Sequence, residues 1–308
     1  MKKYYPEGTI FESKSNKKAM ESINGLKECF FEGRILEARV TLCDNDHNLH
    51  VDLGVIEGII PREECAVGIS EGAVRDIAII SRVNKPVCFK IIDFVDDENG
   101  KCIAFLSRRA VQEECAENYI KQLQTGDIID AKVTHNESFG SFCDIGCGIS
   151  ALLPIDSISV SRIPHPDVRF RMNTKIKAVV KIVDELGRVT LTLKELLGTW
   201  EENAENFRAG QTVGGIVRSI ENYGVFIELA PNLAGLAEYT PDVNIGDLAS
   251  VYIKSINPER MKIKLAIVES FSDRNNPVEL KYYCDKNHID EWQYSPLKST
   301  KLIKSIFC

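Results

Sequence analysis

The sequence predicts a mainly β protein built from three small five-stranded barrels in tandem, joined by short helices. Three observations carry that expectation. Residues 126–154 map without a gap onto 210–238, an offset of 84 positions, and a fixed period in sequence means a repeated structural unit. Within each repeat, short stretches of alternating polarity are separated by Gly and Pro turns, the pattern of closely spaced strands. Between repeats the apolar spacing becomes helical, on glutamate-rich segments.

The elements follow in order. Residues 1–30 form an arm with a helix expected at "NKKAMESINGLKEC" (16–29). The first unit, 31–109, is the most diverged: in "EGRILEARVTLCDNDHNLHVDLGVIEGIIP" (32–61), Gly33 aligns with Gly126, Val40 with Val133, and "VDLG" (51–54) with "CDIG" (143–146). A helix is expected within 107–123. The second unit, 124–194, reads as strands "GDIIDAKVTHN", "SFGSFCDIG", "ALLP", "KIKAVVKIVD" and "RVTLTL". A second linking helix is expected within 194–207. The third unit, 207–268, repeats the strands as "QTVGGIVRSI", "YGVFIEL", "AGLAE", "ASVYIKSI" and "MKIKLAIV". Five short antiparallel strands suit a closed barrel, in which no edge stays unpaired. Residues 269–308 fit no repeat but hold Tyr282, Tyr283, Trp292 and Tyr294. They are expected to pack on the third barrel or on a partner.

The chemistry-bearing stretch is "SFGSFCDIG" (138–146), echoed by "NYGVFIELA" (222–230). Phe139 answers Tyr223 and Phe142 answers Phe226. A spacing of three puts such a pair on opposite strand faces unless the Gly-Ser bend intervenes. Phe142 and Phe226 are the expected outward pair, alongside Asp144 and Glu228. At the matched positions the first unit has His47 and His50, read as surface or structural histidines.

Composition narrows the function classes. The chain has 308 residues, 44% hydrophobic and 27% charged, which is ordinary globular composition. No apolar run reaches the ~18 residues of a membrane span. The N-terminus "MKKYYPEGTIFESKSNKK" lacks the apolar stretch of a secretory signal, so a cytoplasmic location is expected. The ten cysteines read as reduced thiols. Cys143 and Cys147 lack further ligands at metal-binding spacing and are taken as small buried hydrophobes. The net charge of -7 is uneven: residues 160–194 carry eight basic and three acidic groups, whereas 31–109 carry ten basic and fourteen acidic. Local field, not total charge, governs phosphate contact.

The glycine-led strand with "YGVFIEL", then "AGLAE", then a basic strand ending "RVTLTLKE", resembles the RNA-binding barrel of ribosomal protein S1, an OB-fold. The resemblance covers about residues 31–268, and "VDLG…EGIIPREE" in the first unit resembles the degenerate N-terminal barrels of that family. It implies paired aromatics that stack unpaired bases, with cations along the phosphates. The implied RNA-binding residues are Phe139, Phe142, Lys181, Asp184 and Arg188 in the second unit. In the third they are Tyr223 and Phe226, with Asn257 in place of the aspartate and Arg260 or Lys262 as the cation. A histidine frequent in the family is replaced by Pro154 and Glu238. The expected function is non-enzymatic binding of single-stranded RNA, an mRNA at the small (30S) ribosomal subunit, with the first unit as the ribosome contact. No cofactor, metal, membrane or small-molecule substrate is expected. The rivals are a protein-binding scaffold and an accessory factor of RNA metabolism. A nuclease is disfavoured because little chain remains outside the barrels.

Overall fold

The computed structural model describes residues 4–96, 100–272 and 280–307. Residues 1–3 of the expected arm, 273–279 of the expected C-terminal extension, and Cys308 lie outside them. Three closed barrels are present. The first comprises β1 (Leu36–Cys43), β2 (Leu49–Asp52), β3 (Glu57–Ile60), β4 (Pro86–Asp96) and β5 (Cys102–Ser107). The second comprises β6 (Ile128–Glu137), β7 (Gly140–Asp144), β8 (Ser150–Pro154), β9 (Lys175–Val183) and β10 (Val189–Thr192). The third comprises β11 (Thr212–Glu221), β12 (Gly224–Ala230), β13 (Leu233–Ala237), β14 (Leu248–Asn257) and β15 (Lys262–Phe271).

Each barrel runs in the order first, second, third, fifth, fourth and back to the first. This is the OB arrangement. The all-antiparallel expectation needs correction: the third and fifth strands pair in parallel, through Gly58↔Ala104, Leu152↔Thr190 and Leu236↔Lys264. The reason is geometric. A closed ring of strands can alternate direction throughout only if their number is even, so five strands force one parallel seam. Inward positions fill the interiors, Val40, Leu49, Phe89 and Leu106 in the first barrel and Val217, Ile227, Val251 and Leu265 in the third.

The fourth strand bulges against the fifth at one equivalent place in each barrel. The bulged residue is Ile92 in β4, Lys181 in β9 and Lys254 in β14. A bulge twists its strand and re-aims the extra side chain.

The helix expected at 16–29 is two helices, α1 (Lys14–Met20) and α2 (Ile23–Glu32). Ser22 breaks it by taking extended backbone, and its Oγ accepts the Gly25 amide at 3.0 Å, as an N-cap does. A short helix α3 (Ile77–Ile80) follows in the first barrel, and α4 (Arg109–Asn118) and α5 (Trp200–Ala204) follow the first and second barrels. Thr199 and Glu202 start α5 with a capping box.

The chain divides into two compact units. One is Met1–Leu123 with Asp144–Ser150, the other Gln124–Cys143 with Ala151–Cys308. The first unit is organised by its N-terminal arm. Glu7 is buried, and its carboxylate accepts Arg108 Nε at 2.7 Å and Nη2 at 3.0 Å, with Arg82 Nη1 at 3.3 Å. Burial alone would raise this carboxyl, but the Arg108 and then the Arg82 charge hold it at about 2. The Glu7 amide donates to Asp144 at 2.7 Å, and Asp144 also accepts the Gly146 and Gly148 amides. Burial and the Glu7 charge push the Asp144 carboxyl up to about 6. Gly148 has φ +75°, and a Cβ there would collide with Arg108 and lie 2.7 Å from Glu7 Oε2, so the turn needs glycine.

Glu37 of β1 accepts the amides of Ile10 at 3.0 Å and Phe11 at 2.7 Å. Burial, with the Glu7 charge adding to it, still pushes its carboxyl up to about 7. A raised folded-state value means the unfolded chain loses this proton first. Stability should therefore fall as pH rises from the ordinary value of 4.5 to about 7, and level off above that. Asp144 acts in the same direction only to about 6, so the window between the two values belongs to Glu37. Calorimetric melting across that window should show a decline that Glu37→Gln removes. An equal decline in both proteins would assign the effect elsewhere.

The second unit is tied by its C-terminal segment, which packs on both of its barrels and not on the third alone. Ile289 N–H donates to Gly126 O at 3.0 Å, Ile128 N–H to Asn287 O at 2.8 Å, and His288 Nδ1 lies 2.7 Å from Asp127. Further on, β16 (Glu291–Gln293) and β17 (Lys304–Ile306) pair as a small sheet. Trp292 and Tyr294 join Trp200 in the third barrel's core cluster. Trp292 and Tyr294 complete that core, whereas the Tyr282 hydroxyl accepts the Lys177 amide of β9 at 3.1 Å.

Candidate nucleic-acid interface

The two aromatic pairs share one geometry. The Phe139 and Phe142 ring centroids are 6.0 Å apart at 88°, and those of Tyr223 and Phe226 are 6.1 Å apart at 89°. Both are edge-to-face contacts. Phe139 is 53% and Tyr223 69% exposed, and the second ring of each pair is half-buried. Both rings of a pair are therefore outside the barrel, which settles the question of faces. Phe139 and Tyr223 are not strand residues. They sit in the hairpin turns after β6 and β11, so strand alternation does not apply to them. The glycine that follows takes φ +158° at Gly140 and +146° at Gly224. A Cβ on Gly140 would lie 2.5 Å from Leu153 O, and one on Gly224 would collide with Ala237 O. The glycine lets the neighbouring strand close under the rings.

Asp144 and Glu228 do face outward with Phe142 and Phe226, as expected, but neither is exposed. Asp144 is 4% and Glu228 3% exposed. Each is roofed by a segment distant in sequence, Asp144 by the arm at Glu7 and Glu228 by the stretch ahead of β9. Glu228 accepts Arg169 in bidentate fashion and Arg218 through Nε and Nη2, each at 3.0 Å. Burial would raise its carboxyl, but the two guanidinium groups hold it below the usual range. Arg169 is thereby withdrawn from the basic segment 160–194.

Asp184 is a turn-former. Its carboxylate accepts the amides of Leu186 at 3.0 Å and Arg188 at 2.8 Å, as in an Asx-turn. It also accepts Arg188 Nε at 2.6 Å. Those amides and the guanidinium hold the carboxyl below its usual range. The Arg188 side chain is 76% exposed, so water screens this pair strongly. Asp184 thus aims Arg188 without binding it strongly. Asn257 does the same backbone work in the third barrel, where its Oδ1 accepts the Arg260 amide at 2.8 Å.

Register settles which third-barrel cation matches Arg188. Thr190 pairs with Leu152 and Ile182, and Lys264 pairs with Leu236 and Ser255. Thr190 and Lys264 are therefore equivalent, and so are Arg188 and Lys262, two positions earlier. Arg260 lies in the turn. Lys181 and Lys254 are also equivalent, at the shared bulge. Lys181 Nζ donates to Ser157 Oγ at 3.2 Å, and Lys254 Nζ pairs with Glu238 at 2.9 Å. Sequence reading missed Lys254 because the bulge that aligns it with Lys181 has no residue signature.

The first barrel differs at the strand aromatic and at the bulge. Leu42↔His50 in the first barrel matches Ser219↔Phe226 in the third, each just past the bulge of the opening strand. His50 therefore occupies the aromatic site, with Nδ1 2.7 Å from Glu57 and Nε2 3.4 Å from Asp44. Ile92 occupies the lysine bulge.

The S1 RNA binding domain family matches residues 122–194, the second barrel. The chain is 27% identical over 304 residues to small ribosomal subunit protein bS1 of Staphylococcus aureus, covering 92% of this chain and 75% of that one. It is 28% identical over 296 residues to the bS1 homolog of Bacillus cereus, covering 91% and 74%. Among solved structures, it is similar to a multidomain protein with nucleic acid binding domains from Streptococcus pneumoniae, at 13% identity and a TM-score of 0.25, covering 77% and 74%. The resemblance to ribosomal protein S1 thus holds over nine-tenths of the chain.

Proposed function

We propose that this protein binds single-stranded RNA, including mRNA, through the second and third barrels, without catalysis, in the cytoplasm and in association with the small ribosomal subunit. The observation that carries the reading is the repeated outward aromatic pair, set beside a turn-aimed cation and a bulged lysine. Every base has a π-face, so two rings outside a barrel take unpaired bases with little regard to sequence, at about 1–3 kcal/mol per base. The cations follow the phosphates, which supply the salt-dependent part of affinity. Double-stranded RNA keeps its bases stacked internally and offers the rings nothing. The relatives named as small-subunit proteins support the ribosomal setting.

The first barrel has a carboxylate-held histidine at the aromatic site, an isoleucine at the lysine site and an acidic balance. It is the proposed contact to the ribosome, and RNA binding there is expected to be weak.

The test uses the whole chain, because residues 144–150 of the second barrel belong to the N-terminal unit. In titrations of a labelled oligouridine, Phe142→Ala should cost about 1–3 kcal/mol, from one lost stack. Arg188→Ala should weaken binding and flatten the log–log salt slope by about 0.7, one phosphate's share on a single strand. A folded Phe142→Ala protein with unchanged affinity would overturn the stacking assignment. Equal affinity for a hairpin stem and an unpaired strand would overturn the preference for single strands.

A further inference from the structure

We propose that Lys264 is a phosphate contact, and that the RNA path on the third barrel crosses the sheet from Tyr223 and Phe226 over Leu236 to Lys264. The inference rests on the reading that this aromatic face binds RNA.

Register carries the argument. Phe226 pairs with Leu236, Leu236 with Lys264, and Lys264 with Ser255. Residues paired across neighbouring strands project to the same face, so these four form one outward row. Leu236 is half-buried and Lys264 exposed. Lys264 stands two strands from Phe226, about 9–10 Å away at the usual strand spacing. A base on the Phe226 ring therefore has a lysine within side-chain reach of its own or its neighbour's phosphate. Lys264 makes no ion pair among the described residues. Glu238, at the end of β13, is already paired with Lys254 at 2.9 Å, so these two lysines and one glutamate leave the face net positive.

The second barrel lacks this feature. Its corresponding row runs Leu152, Thr190, Ile182, with no charge. It has Pro154 where the third barrel has Glu238. The third barrel therefore carries an acid that the second does not, and Lys264 is the cation that offsets it.

The experiment uses the full chain carrying Phe139→Ala and Phe142→Ala, so that the third barrel is read alone, with labelled oligouridine titrated over a range of salt. Adding Lys264→Thr, which copies the second barrel, should lower affinity several-fold and reduce the slope of log K against log salt by about 0.7. In the otherwise unaltered chain, Thr190→Lys should steepen the slope by a similar amount. Adding Phe226→Ala instead reports on the aromatic face itself. If Phe226→Ala weakens binding while Lys264→Thr leaves affinity and slope unchanged, the row proposal is wrong and the stacking reading stands. If Phe226→Ala has no effect, the stacking reading fails and this proposal with it. Lys264 is exposed, so circular dichroism melts of the variants should match the background protein.

Discussion

Replacing Glu7 with alanine should destabilise the N-terminal unit by about 3–5 kcal/mol, the usual cost of stranding one member of a buried ion pair. Arg108 is the reason. Its side chain is 2% and that of Glu7 5% exposed, so water cannot take over the lost contacts. Arg108 Nη1 would keep the Cys65 carbonyl at 3.0 Å, but its charge would face no bonded carboxylate. The Cys88 amide, which donates to Glu7 Oε1 at 3.1 Å, would lose that acceptor too. Among the described residues the arm has no helix or strand before α1, so the carboxylates of Glu7 and Glu37 hold it in place. Asp144 should respond as well. Part of its upward shift comes from the Glu7 charge, and that part should vanish in the variant.

Calorimetric unfolding of Glu7→Ala, Arg108→Met and the double variant gives the decisive comparison. Each single change should be costly, and the double change should cost much less than their sum, because removing both charges together leaves neither stranded. Unfolding of Glu7→Ala within error of the parent would show that the pair does not organise the unit. The low carboxyl value sets a further sign. Stability from Glu7 is fully present above the ordinary 4.5 and is lost as pH falls toward about 2. The Glu7 contribution therefore runs opposite to that of Glu37.

Much of the architecture was legible because it is repeated. The match of residues 126–154 to 210–238 placed Phe142 and Phe226 on equivalent strands, and the register agrees for Leu152 and Leu236. Strand periodicity found the strands of the second and third barrels for the same reason, since alternation is local, whereas β4 and β5 of the diverged first barrel were not read individually. Three features were not local. The parallel seam follows from closing an odd number of strands, which no segment records. The roofing of Asp144 and Glu228 comes from residues 137 and 59 positions away, so a polar residue on an outward strand position looked exposed. The bulge that brings Lys254 into line with Lys181 shifts the register by one residue, with lysine and isoleucine both accommodated. The C-terminal aromatics pointed to the third barrel or a partner as their packing surface, and the fold adds the second barrel, which the segment also contacts.

The second large effect is expected at Glu228. Changing it to alanine strands two guanidinium groups, Arg169 and Arg218, whose side chains are 0% and 6% exposed. The cost should reach or exceed the ~3–5 kcal/mol of a single stranded partner. Mutual repulsion between the two arginines adds to it, since the carboxylate that separates them is gone. At roughly 2–4 °C per kcal/mol for a unit of this size, the melting temperature should drop by about 6–20 °C. Arg169→Ala should be milder, because Glu228 keeps its bidentate pairing with Arg218. The order of the two variants is thus fixed by the geometry. The triad also ties the stretch ahead of β9 to β11 and β12, and Asn232 beside it accepts the Val160 amide at 2.9 Å. Loosening it should expose Val160 and the amides around it, read as faster hydrogen exchange from Ser159 to Phe170 in Glu228→Ala than in Arg169→Ala. If Arg169→Ala melts lower than Glu228→Ala, the carboxylate is not the hub of this cluster, and the stability of the second unit lies elsewhere.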